Sequence, residues 1–169
     1  MMPGMETRTT PITELTTDPR NARAHSDRNL DAVARSLEEF GQQKPIVVDA
    51  HGTVIAGNGT LQAAISLGWT EIQVVRTDLT ADQARRYAIA DNRTAELATW
   101  DDAELLNQLE GWEGTALLTT GFTDSDIEDL RAQLEDAAGG GDAVGSGTPT
   151  STLAERFMLP PFSVLSTRE

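Results

Sequence analysis

Apolar residues recur along this chain at two spacings, and the alternation between them predicts the elements. Ile12 and Leu15 bracket a short strand candidate, Ile12–Leu15, after the Pro- and Thr-containing residues 1–11, which are expected to fray. Asp18-Pro19-Arg20-Asn21 reads as a turn, because proline fixes φ while Asp and Asn bond their own backbone. Leu30, Val33, Ala34, Leu37 and Phe40 then repeat at helical spacing, which predicts a helix over 26–40 with Ser26 as N-cap and Gly41 as its stop. Two short apolar runs, 45–49 and 53–56, flank a Gly-containing turn and predict paired strands. Gly57-Asn58-Gly59 breaks the second strand, Leu61, Ala64 and Ile65 begin another helix over 60–67, and 71–75 is a further strand. Thr80 and Gln83 form a capping box ahead of a helix whose buried stripe is expected at Ala84, Tyr87 and Ala88 and which ends near Asp91-Asn92-Arg93. Asp101 caps a helix carrying Leu105, Leu106 and Leu109, and Thr123 caps another carrying Ile127, Leu130 and Leu134.

This order predicts an α/β chain of the α+β kind: a small mixed β-sheet with packed helices over 11–98, then an acidic helical extension over 99–136. Residues 1–10 are expected to be a flexible N-terminus. Residues 137–153 read as a Gly/Ser/Thr linker, a composition that builds no packed core. The apolar tail, 154–169, contains Phe157 to Leu165 and reads as a docking peptide or the start of a missing second domain.

Charge divides the chain more sharply than hydrophobicity does. Residues 1–95 hold 10 basic and 12 acidic side chains, whereas residues 96–142 hold 1 basic and 13 acidic ones. An anion-binding surface therefore belongs to the first half, and the acidic second half opposes nonspecific DNA binding, keeps the chain soluble or meets a basic partner. The chain has no cysteine and two histidines, which excludes disulfides, thiolate metal sites and a cysteine nucleophile. No apolar run approaches the ~18 residues of a membrane span, and the first residues lack a signal-peptide core, so a soluble cytoplasmic protein with no membrane partner is expected.

Candidate chemistry sits at two places. Gly57-Asn58-Gly59-Thr60 joins a strand to a helix start, where free N–H groups and the helix dipole favour an anion; the same glycines also serve a plain tight turn. Asp91-Asn92-Arg93 places a carboxylate and a carboxamide, oxygen ligands for a hard cation, beside an arginine that can fork onto phosphate; the same triplet also suits a helix end. Arg20 and Arg23 in the early loop, with Gln42, Gln43 and Lys44, offer further polar contacts. His25 reads as a residue ahead of a helix cap and His51 as a turn residue. Trp69, Trp100 and Trp112 read as helix anchors.

Four blocks in order resemble the ParB N-terminal domain family of the ParB/sulfiredoxin superfamily, over residues 11–95. They are Asp18-Pro19-Arg20-Asn21-Ala22-Arg23, the run from Leu30 through Gly41-Gln42-Gln43-Lys44-Pro45-Ile46-Val47-Val48, the box Val54-Ile55-Ala56-Gly57-Asn58-Gly59-Thr60-Leu61-Gln62-Ala63-Ala64, and Asp91-Asn92-Arg93. The resemblance implies binding of a nucleoside triphosphate, CTP in ParB proteins, with Mg²⁺. It implies that Gly57, Asn58, Gly59, Thr60 and Leu61 face the phosphates, helped by Arg20, Arg23 and Arg93, and that Asp91 and Asn92 sit near the metal. The run Asp91 to Leu97 with Trp100-Asp101 is similar to a phage and prophage branch, described as ParB-like nucleases or as companions of DNA methyltransferases. The tail is similar to segments joining such domains to DNA-modification modules. Gly59, Thr60 and Gln62 stand where the ParB box has arginines, which removes strong phosphate contacts. Sulfiredoxin chemistry is excluded because its cysteine is absent.

Three functions follow as expectations. The first is a nucleotide-binding domain acting in DNA metabolism, an Mg²⁺-dependent NTPase if it turns over, with Asp91 as its catalytic candidate and DNA as a partner. The second is a noncatalytic adaptor for a DNA methyltransferase or another basic protein. The third is a metal-dependent nuclease using Asp78, Asp82 and Asp91, which the chain's acidity and its lack of a nuclease-type acidic cluster disfavour.

Overall fold

A computed structural model describes residues 6–139 of the chain. Five short strands form one mixed sheet: β1 (Thr7–Pro11), β2 (Thr16–Thr17), β3 (Ile46–Val48), β4 (Thr53–Ala56) and β5 (Glu71–Arg76), in the order β1-β5-β3-β4-β2. β1 runs antiparallel to β5, with Thr7 opposite Val75 and Pro11 opposite Glu71. β5 and β3 are parallel, β3 and β4 antiparallel, β4 and β2 parallel. Alternation sets the faces: Ile72 and Val74 are buried while Glu71 and Gln73 are exposed, as expected for a strand with one wet side.

Two helices cover the buried face, α1 (Asp27–Phe40) and α2 (Asn58–Ser66). The core they close is aliphatic: Leu37, Ile46, Val48, Val54, Leu61, Ile72 and Val74, with alanines at 63 and 64 that let α2 come close. Ser26 caps α1 through the Asn29 N–H, as its sequence requires. α3 (Ala81–Leu97) opens with the Thr80–Gln83 capping box. α4 (Asp102–Leu109), α5 (Gly114–Leu118) and α6 (Asp124–Gly139) gather a second cluster from Leu105, Leu109, Leu117, Ile127 and Leu130. That cluster is tied back to α1 by Asp126, whose Oδ2 accepts from Arg28 Nη2 at 2.6 Å and from the Thr123 N–H and hydroxyl at 2.8 and 2.7 Å. One carboxylate thus caps α6 and fixes it against α1. Among the described residues no helix is long and apolar enough to cross a membrane.

Several expectations are corrected. The strand begins at Thr7, not Ile12, and Ile12–Glu14 is a 3₁₀ turn. β1 is an edge strand with one buried residue, Thr10, so it carries no apolar alternation to read. β2 and α5 are too short to leave a pattern. α3 does not end at Asp91-Asn92-Arg93 but continues to Leu97, and none of its residues is fully buried; Tyr87 is exposed and Ala84 and Ala88 are half-buried. Trp69 packs on the core, whereas Trp100 and Trp112 are exposed, Trp100 meeting Phe122 edge-on at 6.3 Å. Most of the 137–153 linker and the whole 154–169 tail lie outside the described residues.

The β3–β4 turn is held by Asp49, whose Oδ1 accepts from the His51 and Thr53 N–H groups, each at 2.8 Å. Burial pushes this carboxyl up, but those N–H groups, the Thr53 hydroxyl and the nearby His51 together hold it below the usual carboxylate range. A lowered folded value stabilises the ionised native state, so the contribution is complete above the unfolded value near 4 and fades as pH falls through the folded one. Asp49→Ala should cost about 1 kcal/mol at pH 7 in urea unfolding, and the gap from wild type should close towards pH 2–3.

Candidate functional site

β4 passes into α2 through Gly57, which has φ 94°. A Cβ built there would lie 2.5 Å from Ile46 Cγ2, so both the backbone angle and the core exclude a side chain. At Gly59 a Cβ would lie 2.8 Å from Cε1 and 3.0 Å from Nδ1 of His25. The second glycine therefore makes room for an imidazole lying across the first turn of α2.

No N-cap side chain closes that turn, although Ser26, Thr80 and Asp101 do so for α1, α3 and α4. The N–H groups of residues 58–60 are thus left without an intrahelical or capping partner, the usual condition of an open helix start. The side chains of the turn are engaged elsewhere. Asn58 is buried, its Oδ1 accepting the Asp18 N–H and its Nδ2 donating to the Val54 carbonyl, each at 3.3 Å. Leu61 is 1% exposed in the core, and Thr60 lines an open groove of about 400 Å³ between α1 and the α5–α6 corner. What the turn offers an anion is its backbone.

The loop from Asp18 to His25 lies beside this turn. Asp18 accepts the Arg20 N–H at 2.9 Å, and Asn21 accepts the Arg23 N–H at 3.2 Å while donating to the Arg23 carbonyl at 3.0 Å. The Arg20 side chain is 70% exposed and only 3.8 Å from Asp18. Arg23 pairs with Glu96 at 2.8 Å, and Glu96 also takes Arg93 at 3.4 Å. One carboxylate of α3 thereby holds two of the three arginines expected at the site and ties α3 to the loop. At the loop's end His25 Nδ1 meets Asn29 Oδ1 at 2.8 Å.

Asp91, Asn92 and Arg93 occupy one turn inside α3. Asp91 is exposed; the Tyr87 hydroxyl one turn earlier is pushed up by partial burial and by the charge of Asp91. Asn92 Nδ2 donates to the Ala88 carbonyl at 2.8 Å, which turns its amide along the helix. Among the described residues no three His, Cys, Asp or Glu side chains gather to hold a metal. Asp82 is engaged by Arg86 at 2.8 Å and Arg85 at 3.7 Å. The donors present fit Mg²⁺ only as an ion shared with phosphate oxygens and water, which is how Mg²⁺ is commonly held.

Three residues act here through contacts that the sequence pattern does not specify: Glu96, which no motif singled out, His25, expected only ahead of a helix cap, and Gln42, expected only as a further polar contact. His25 and Glu96 act across 34 and 73 positions of chain, on Gly59 and Arg23. Gln42 staples the α1–β3 connection to β5, its amide bonding the Gln73 N–H at 2.7 Å and carbonyl at 2.9 Å. No periodic signal marks any of them.

The chain matches known proteins across this region. The family model of the ParB N-terminal domain matches residues 2–93. The ParB-like nuclease domain-containing protein YnaK of Escherichia coli K12 is 35% identical over 77 residues, 45% of this chain and 88% of that protein. The chromosome-partitioning protein Spo0J of Thermus thermophilus is 27% identical over 121 residues, 69% of this chain but 42% of that protein. Among solved structures, the C-terminally truncated chromosome-partitioning protein ParB from Caulobacter crescentus, complexed with CTP-gamma-S, is similar with a TM-score of 0.65 and 19% identity, over 77% of this chain and 79% of that one.

The packing of the two glycines makes a sharp test. Gly59→Ala should destabilise by about 1–3 kcal/mol through overpacking against the His25 ring. In a His25→Ala background most of that penalty should vanish, giving a non-additive double-mutant cycle in urea unfolding. Gly57→Ala should cost at least as much and find no relief from His25→Ala. Additive effects of Gly59→Ala and His25→Ala would contradict the contact.

Proposed function

The chain belongs to the ParB N-terminal domain family, and on that premise we propose that it binds a nucleoside triphosphate, CTP first among the candidates, and acts in DNA metabolism. The observation that carries this reading is the open first turn of α2, backed by the core and flanked by an arginine-bearing loop. Its support from outside is a shared fold with a ParB whose crystal structure holds CTP-gamma-S. The N–H groups of Asn58, Gly59 and Thr60 meet the phosphates, a role for which backbone and dipole suffice. Leu61 contributes by anchoring the turn from the core, and the Asn58 side chain by fixing the loop.

Arg20 is the cation most open to a ligand. Arg23 and Arg93 reach phosphate only in competition with Glu96, which makes the site weaker than one lined by uncommitted arginines. Asp91 and the amide oxygen of Asn92 would be the chain's oxygen donors for Mg²⁺, which would supply charge neutralisation to the phosphates, and turnover would depend on Asp91. DNA contact falls to the nearly neutral first half, since the acidic helices repel a phosphate backbone.

A second reading rests on that acidity: α4–α6 belong to a segment with 13 acidic residues against one basic, a surface for a basic protein such as a DNA methyltransferase in a phage or prophage setting.

Calorimetry with CTP, ATP and GTP, each with and without Mg²⁺, separates the two. Micromolar, Mg²⁺-dependent binding of one nucleotide is expected. Arg20→Ala should weaken it about tenfold, the loss of roughly 1.4 kcal/mol. Asp91→Ala should remove the Mg²⁺ dependence. No binding at millimolar nucleotide would overturn the nucleotide reading and leave the adaptor.

A further inference from the structure

The His25 ring lies against Gly59 in the first turn of α2, a place the sequence pattern did not give it, and its surroundings define its chemistry. Its Nδ1 lies 2.8 Å from Asn29 Oδ1. An amide oxygen only accepts, so Nδ1 carries the hydrogen. The neutral ring then has a bare lone pair at Nε2, and Nε2 has no hydrogen-bond partner among the described residues. That nitrogen would lie 3.2 Å from a Cβ at Gly59, so it belongs to the rim of the open turn. A lone pair there opposes an anion. A second proton converts the same atom into a charged donor while the Asn29 bond keeps the ring in place.

We infer that His25 is a phosphate-facing residue of the proposed nucleotide site, binding as the imidazolium. The inference rests on the nucleotide reading and deepens it: affinity becomes coupled to pH through one side chain. The charged groups on the elements that meet the ring are mixed. They are Asp18, Arg20 and Arg23 in the loop, Asp27 and Arg28 at the start of α1, and Glu96 and Arg93 of α3 through their ties to Arg23. The first turn of α2 contributes none. No carboxylate bonds the ring, so an incoming phosphate supplies the counter-charge.

The coupling is reciprocal: if protonation of His25 favours the nucleotide, the nucleotide must favour protonation of His25 by the same factor. The chain has two histidines, and His51 lies in the β3–β4 turn, so it serves as an internal control. Proton NMR of both imidazoles is followed across pH 5–8.5 with and without saturating Mg²⁺–CTP. The titration midpoint of His25 should rise by about one pH unit on binding, the equivalent of about tenfold in affinity, while that of His51 stays in place. Calorimetry on His25→Gln, a neutral donor of similar reach, controls for the titration of the nucleotide's own terminal phosphate, which falls in the same range. Wild type should gain affinity over His25→Gln at pH 6 and lose that advantage by pH 8. Binding with an unmoved His25 midpoint, or a constant ratio between the two proteins, overturns the role of His25 and leaves the nucleotide site standing. No nucleotide binding at either pH overturns the reading beneath it.

Discussion

The burial of the start of α2 is the constraint on which the rest of this structure depends. A helix normally meets a core with its middle and leaves its ends to solvent and caps. Here Asn58, Gly59 and Leu61, within the first four helical residues, are already buried. That approach requires Gly57 at positive φ against Ile46, a position without a Cβ at Gly59 against His25, and a side chain at 58 able to satisfy both the Asp18 N–H and the Val54 carbonyl. Since no side chain caps the turn, its N–H groups form a polar opening in an otherwise aliphatic unit. A helix start buried from behind and uncapped in front has the open backbone donors that an anion requires, and the proposed function rests on that feature.

Charge is arranged around that opening as a balance. The arginines come from a loop and from α3, and Glu96 holds two of them together. That bridge fastens α3, which buries none of its own residues fully, to the loop beside α2. It also sets the terms on which a phosphate could recruit Arg23 or Arg93, since the ligand must displace a carboxylate. Further along, Asp126 fastens the acidic helices to α1, so a predominantly acidic unit is held to the nearly neutral one at a defined place.

Much of the fold was legible because its elements carry periodic or capping signals. α1 reads from Leu30, Val33 and Leu37, and the start of α3 from Thr80 and Gln83; both appear with those caps. The mixed sheet and packed helices expected from that order are present, as is the family resemblance carried by four blocks. β1 escaped because an edge strand with polar faces has no alternation, and the extent of α3 because Asp91-Asn92-Arg93 looks like a helix end while Asn92 in fact bonds within the helix. Around the proposed site, the glycines and arginines stood out in the chain. His25 and Glu96 did not, because their roles depend on contacts made across long stretches of sequence. What the structure adds at residue level is which side chains are already spent: Asn58 on the loop, Leu61 in the core, Arg23 and Arg93 on Glu96.

The central claim of the proposed function is that a nucleotide is bound through the backbone at the start of α2. Amide ¹H–¹⁵N spectra recorded during titration with Mg²⁺–CTP test it most directly. The account predicts that the largest shifts fall on the N–H groups of Asn58, Gly59 and Thr60, with a second set over Arg20 to Arg23. Shifts confined to α4–α6, or spectra unchanged at millimolar nucleotide, would contradict it.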